Sequence, residues 1–351
     1  MNSQINSDSI VFADAERSVK TARVLIAGGY GLVGSSIARH IRHLFKDVEI
    51  ILAGRNPETA NPLVQELGNA KTAYLDIQQA TDLSNLGPLD LIVASLHDHQ
   101  DLLLQWALDQ GIAHIGITKM VEDIAPVTFL TLKTPPKRPV VLLGHWQAGP
   151  FSPIAQKAAE QFSHIESVEA TALFDTLDPI GPMVANELES FIGRALLREN
   201  GIWKWVDAKQ NARQFRLEDG SDVEALPMAT LDVPSLAAIT GAQHVRFDLA
   251  MGDSIGTRAG RKASHDLYLE IKGQLHSGAQ AKQRIVVSHP EGVAHFTALG
   301  VLIAIEYVLG LGGNEPASGA LHLPETLIPA DKAIDRYRQF GVTITQSLIQ
   351  D

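Results

Sequence analysis

Cysteine is missing from all 351 residues, which removes disulfides, thiolate metal sites and a cysteine nucleophile from consideration. A basic excess is missing as well. Lys and Arg number 29 against 40 Asp and Glu, a formal net charge of −11, so nothing in the charge points to nucleic acid or an anionic membrane as a partner. No apolar run is long enough for a bilayer: Phe296 to Leu311, FTALGVLIAIEYVLGL, falls short of the roughly 20 residues required and carries Glu306. It reads as a buried helix. Residues 1–20 lack the basic start, apolar centre and cleavage site of a secretory signal and read as a loose tail, so a cytoplasmic protein is expected. Neither a G-x-S-x-G elbow nor a P-loop occurs, and serine or nucleoside triphosphate hydrolysis has no support.

What is present is an alternation of apolar runs with amphipathic stretches. Strands are expected at Arg23–Ala27, Val48–Ala53, Thr72–Leu75, Leu91–Ser95, His114–Ile117 and Val140–Leu143, with helices at Ser35–Phe45, Asn61–Leu67 and Asp101–Gln110. That grammar predicts an α/β fold, a doubly wound parallel Rossmann sheet over residues 21–150. After Gly144 the pattern changes. GHWQAGPFSP is turn-rich, and Ser152 is expected to cap a helix from Pro153 to Phe162. His164–Phe174 and a mixed region with Trp203 and Trp205 follow, then period-two stretches at His244–Leu249, Leu267–Leu275 and Gln283–Ser288, predicting a second α+β domain over 151–290 with a mostly antiparallel or mixed sheet. Residues 291–351 are expected to return to the first domain as C-terminal helices.

The strongest local signal is Gly28-Gly29-Tyr30-Gly31-Leu32-Val33-Gly34, a G-x-G-x-x-G spacing between an apolar strand and a helix. Glycine is needed there for a tight turn, for close approach of a pyrophosphate and for helix–strand packing, with the helix N-terminus facing the negative charge. At the end of the second strand, where a carboxylate would receive the ribose 2′-hydroxyl of NAD, the chain has Gly54-Arg55-Asn56. Arg55 offers a planar charged fork to a 2′-phosphate, which favours NADP(H) over NAD(H). Asp76 and Ile77, after the third strand, are placed to meet the adenine.

The runs GGYGLVG, AGRNPETA, AYLDIQQATDLSNLGPLDLIVASL and LLLQWALDQGIAHIGIT resemble the NAD(P)-binding domain of the saccharopine dehydrogenase-like family. GHWQAGPFSPIAQKAA, HFTALGVLIAIEYVLG and LHLPETLI are similar to that family's entry to its second domain, its returning helix and its C-terminal end. The resemblance covers about residues 22–345 and is loose between 175 and 265. It implies a Rossmann domain completed by C-terminal helices, a substrate domain whose sheet often mediates pairing into a homodimer, and pyridine-nucleotide redox chemistry on amino-acid-like substrates.

Hydride transfer needs a proton donor or acceptor near the carboxyl ends of the later strands. The segments there are Ser95-Leu96-His97-Asp98-His99, Thr118-Lys119 and Gly144-His145-Trp146. His97 is the first candidate for acid or base because imidazole titrates near neutral pH; Lys119 and His145 are rivals on the same edge. His97 and His99, with Asp98 between them, are adjacent loop residues without convergent geometry, and nothing elsewhere in the sequence supplies a third ligand at recognisable spacing, so no metal is expected. Tyr268 and Lys272 are four apart but lie in an alternating, strand-like stretch. The cations of the loop 256–262 could clamp a dicarboxylate or simply be solvated. Three functions stay open: an NADP(H)-dependent oxidoreductase acting on a small carboxylated or amino-acid-derived substrate, a non-catalytic NADP(H) sensor or scaffold, and a reductase of a lipid-like substrate.

Overall fold

A computed structural model describes residues 21–79, 83–181 and 193–349; the expected N-terminal tail lies outside them. Six strands open the chain: β1 (Arg23–Ala27), β2 (Glu49–Gly54), β3 (Ala70–Tyr74), β4 (Leu91–Ala94), β5 (Ala113–Gly116) and β6 (Val140–Leu142). They pair in parallel in the order 6-5-4-1-2-3. β1, β2, β4 and β6 are almost wholly buried because helices cover both faces of the sheet. The crossovers include α1 (Leu32–Leu44), α2 (Asn61–Leu67), α3 (Leu102–Gln110) and α4 (Ile124–Lys133). The sequence periodicity does not announce α4. Phe129 and Leu132 on it are 73% and 70% exposed, which blurs the apolar stripe, and Pro126 sits in its first turn, where a missing N–H is tolerated.

Helix α5 runs Phe151–Ala159, two residues earlier than expected, with Pro150 as its N-cap residue. Ser152 is therefore no cap. It lies buried inside the first turn, its hydroxyl 3.4 Å from Glu325 Oε2. The cause is the preceding turn, where Gln147, Ala148 and Gly149 have φ of 51°, 59° and 94° and bring the chain to helical geometry sooner.

The second sheet contains β7 (Phe162–Phe174), β8 (Arg194–Glu199), β9 (Ile202–Asp207), β10 (Arg213–Arg216), β11 (Asp222–Pro227), β12 (His244–Met251), β13 (His265–Leu275) and β14 (Gln280–His289). Its pairs are antiparallel except β7 with β12, so the sheet is mixed. One face packs α5, α6 (Asp232–Thr240) and the long α8 (Val293–Leu309) in a core shared with the first domain; a short α7 (Ile255–Arg258) lies between β12 and β13. The other face carries a small apolar cluster that includes Leu173, Phe215, Ala250 and Tyr268, and beside it a network of ion pairs. Asp248, fully buried, receives Arg213 Nε at 2.7 Å and Arg246 Nε and Nη2 at 2.8 and 2.6 Å, and Arg213 also pairs with Glu169.

Helix α8 is apolar nearly all round because it is buried nearly all round, and its one acid, Glu306, is held by Arg336 at 2.8 Å. Among the described residues no helix is long and apolar enough to cross a membrane. Beyond α8 the chain visits both sheets. β15 (Leu321–His322) adds a parallel edge strand to β6, α9 (Pro324–Leu327) and α10 (Ala330–Gln339) follow, and β16 (Thr343–Ile349) pairs antiparallel with β14. The C-terminal region is thus more than a set of helices on the first domain.

Candidate functional site

The strand order of the first sheet reverses between β1 and β4, and ligands of doubly wound sheets bind in the crevice at the carboxyl ends of such a pair. Gly28 and Gly29 leave β1 there, their amides donating to Ala53 O at 2.8 and 3.3 Å. A side chain on Gly29 would place Cβ 2.7 Å from Ile26 O, and one on Gly34 would overlap Gly28 O and sit 2.8 Å from Gly29 Cα. Gly28 needs its positive φ of 77°. Gly31 begins α1 in extended geometry with no side-chain cap and no acid in the first turn, so the first-turn amides from Leu32 to Gly34 remain available to an anion. This cradle fits the diphosphate of a dinucleotide.

Around it the other expected nucleotide residues take definite places. Ser95 ties the tips of β4 and β1 together, its hydroxyl donating to Ala27 O at 2.6 Å. Asp76 is buried, and its carboxylate accepts Gln78 N at 3.1 Å and Gln79 Nε2 at 3.0 Å, closing the turn after β3; Ile77 packs beside it on the core cluster of Ala27, Ala53 and Ala94. Arg55 and Asn56 are exposed at the end of β2, and Arg55 has no ion-pair partner among the described residues.

The three expected proton-handling groups differ sharply in surroundings. Lys119 reaches back to the loop after β4, donating to Asp98 O at 2.8 Å and pairing with Asp101 at 2.6 Å. Asp98 in turn caps α3 through Leu102 N and Leu103 N, at 3.0 and 2.7 Å. His145 is buried with Nε2 2.7 Å from Ser235 Oγ and 3.8 Å from Glu325 Oε2; burial pushes it down to about 3, so it is neutral at any ordinary pH. His97 is half-buried at the loop surface, its ring 5.3 Å from that of His99.

Sequence reading did not find the partners from the second domain. Asp232, in the first turn of α6, accepts Trp146 N at 2.7 Å, and Trp146 Nε1 donates to His265 Nε2 at 2.8 Å. Together with Ser235 and Glu325 these residues make His145-Trp146 the junction of the two domains. Burial pushes the Asp232 carboxyl up to about 7, against the pull of the Trp146 amide. A carboxyl whose folded value lies above its unfolded value of about 3.9 costs stability progressively as pH rises between the two, and the full cost is present above the higher. Asp232→Asn keeps an acceptor for Trp146 N. It is expected to be more stable than the parent by about 1–3 kcal/mol at pH 8 and indistinguishable near pH 4. Denaturant melts at both pH values would show this, and a constant difference would sink the assignment.

The remaining motifs resolve into structure. Arg258 pairs with Glu218 at 2.9 Å and Lys262 with Glu291 at 2.8 Å, so two cations of the 256–262 loop are already matched. Tyr268 and Lys272 both fall on β13, where the buried Tyr268 donates its hydroxyl to Glu218 at 3.1 Å.

Solved structures match nearly the whole chain, among them the following two. One is the apo saccharopine dehydrogenase (L-Glu forming) of Saccharomyces cerevisiae, with a TM-score of 0.68 at 12% identity, covering 94% of this chain and 100% of that one. The other is a homospermidine synthase of Legionella pneumophila in complex with NAD, with a TM-score of 0.65 at 10% identity, covering 94% and 92%. No family model and no curated relative matches the sequence. At such identities the likeness is one of architecture, and this chain has a saccharopine dehydrogenase-like fold.

Proposed function

We propose that this protein is an NADP(H)-dependent oxidoreductase acting on a small carboxylated or amino-acid-derived substrate. The observation that carries the reading is the glycine cradle at the switch point of the sheet, with Arg55, which has no ion-pair partner among the described residues, one residue beyond the end of β2, the region that meets the ribose in doubly wound folds. The dehydrogenase and the NAD-bound synthase that share its fold support a nicotinamide dinucleotide as the cofactor. When bound, that cofactor supplies the hydride chemistry. The chain's own contribution is the amide cradle, the fork of Arg55 and a proton-handling group at the mouth of the crevice. We assign that last task first to His97, a half-buried imidazole in the loop after β4, because imidazole titrates near neutral pH. Lys119, in its ion pair, and His145, hydrogen-bonded inside the domain junction, are the rivals.

Titrating NADPH and NADH against the protein tests the cofactor assignment, with Arg55→Ala as the control. NADPH is expected to bind more tightly, and the variant to lose about ten- to a hundredfold of that affinity with little change for NADH. Equal loss for both nucleotides would remove Arg55 from 2′-phosphate recognition. Binding of neither would overturn the oxidoreductase reading. The commitment of Lys119 and His145 to fixed partners gives the non-catalytic sensor its one specific support, and tight NADPH binding without turnover across amino acids and keto acids would favour it.

A further inference from the structure

Tyr30 stands between two glycines of the cradle, yet its side chain serves the end of β2. Its hydroxyl accepts the amide of Asn56 at 2.8 Å. A Cβ on Gly54 would lie 2.8 Å from the Tyr30 ring carbon Cε1 and overlap the hydroxyl. Gly54 does not have a positive φ, so its lack of a side chain matters for the room it leaves to the phenol rather than for backbone freedom. The carbonyl of Asn56 is fixed as well, by Thr59 N at 3.1 Å and Thr59 Oγ1 at 2.7 Å. Arg55 is thus an exposed side chain mounted on a peptide segment held on both sides.

We propose that Tyr30 is a positioning residue for cofactor selectivity, its phenol seating Gly54 and Asn56 so that the Arg55 guanidinium faces the 2′-phosphate of NADP(H). The inference rests on the NADP(H) reading and extends it to a residue of the glycine motif itself. Preorganising a charged fork lessens the ordering cost of binding. A residue acting in this way affects nucleotides that carry the 2′-phosphate and leaves those without it almost unchanged.

The test is the dissociation constant of NADPH and of NADH for the parent, Tyr30→Phe and Gly54→Ala, with melting temperature measured beside each. Tyr30→Phe removes only the acceptor for Asn56 N, and Gly54→Ala displaces the ring by a separate route. Both are expected to weaken NADPH about five- to tenfold and NADH less than about twofold, narrowing the preference without a matching fall in melting temperature. If Tyr30→Phe keeps the parent's NADPH-to-NADH ratio while Arg55→Ala loses it, the role of Tyr30 is overturned and the NADP(H) assignment stands. If the parent itself does not prefer NADPH, both fall together.

Discussion

Gly34→Ala is expected to lower stability by about 3 kcal/mol and to weaken NADPH at least about tenfold. The added methyl would overlap Gly28 O and lie 2.8 Å from Gly29 Cα. These are backbone atoms, and unlike the end of a flexible side chain they cannot turn aside. Relief requires α1 to move off β1, and the same movement displaces the first-turn amides that receive the diphosphate. Over-packing in a tight site costs about 1–3 kcal/mol, and the upper end applies where only backbone can yield. Thermal or denaturant melts with a parallel nucleotide titration would check it. An alanine variant with parent-like stability and affinity would mean that helix and strand do not approach this closely.

Asp248→Ala is expected to cost about 3 kcal/mol, at the lower end of the range for breaking a buried ion pair. The carboxylate is fully buried between Arg213 and Arg246, whose side chains are 23% and 21% exposed. Removing it leaves two guanidinium groups facing each other, with Glu169 still paired to Arg213. Their partial exposure lets water soften the penalty, which is why the lower end applies. Asp248→Asn keeps the shape and an acceptor and should lose roughly half as much. Replacing Asp248, Arg213 and Arg246 together with apolar residues of similar size should recover most of the loss. Urea midpoints for the three variants separate these outcomes, and a triple variant no better than Asp248→Ala would contradict the electrostatic account.

Much of the first domain is legible in its residues because a buried parallel strand is written as an uninterrupted apolar run. Arg23–Ala27 and Asn61–Leu67 fall on the elements observed, and Val48–Ala53 differs from β2 by one residue at each end. The mixed second sheet is visible in the period-two stretches around Phe247 and Leu269, since each strand there has one face in the main core and one facing the ion pairs and the smaller apolar cluster. What the residues do not disclose is long-range pairing. Trp146 and Asp232 are 86 positions apart and His145 and Ser235 are 90 apart, and neither aspartate nor serine in the first turn of a helix is distinctive. Lys119 is a similar case. Its location at a strand tip is readable, but its pairing with Asp101 depends on a left-handed residue, φ 55°, that no pattern forecasts. Tyr30 shows the opposite failing: the glycines on either side of it are conspicuous enough to hide what lies between them.

The late return of the chain to both sheets has a consequence during synthesis. The outer edge of β6 stays bare until Leu321 and His322 have been made, and the outer edge of β14 until Thr343–Ile349 arrive. A nascent polypeptide emerging from the ribosome therefore carries two unpaired β-edges until those segments are made, and such edges recruit other strands. Chains stalled before Leu321 should be far more prone to clump than chains carried past Ile349, and the segment between them acts as a closing stitch across the two sheets.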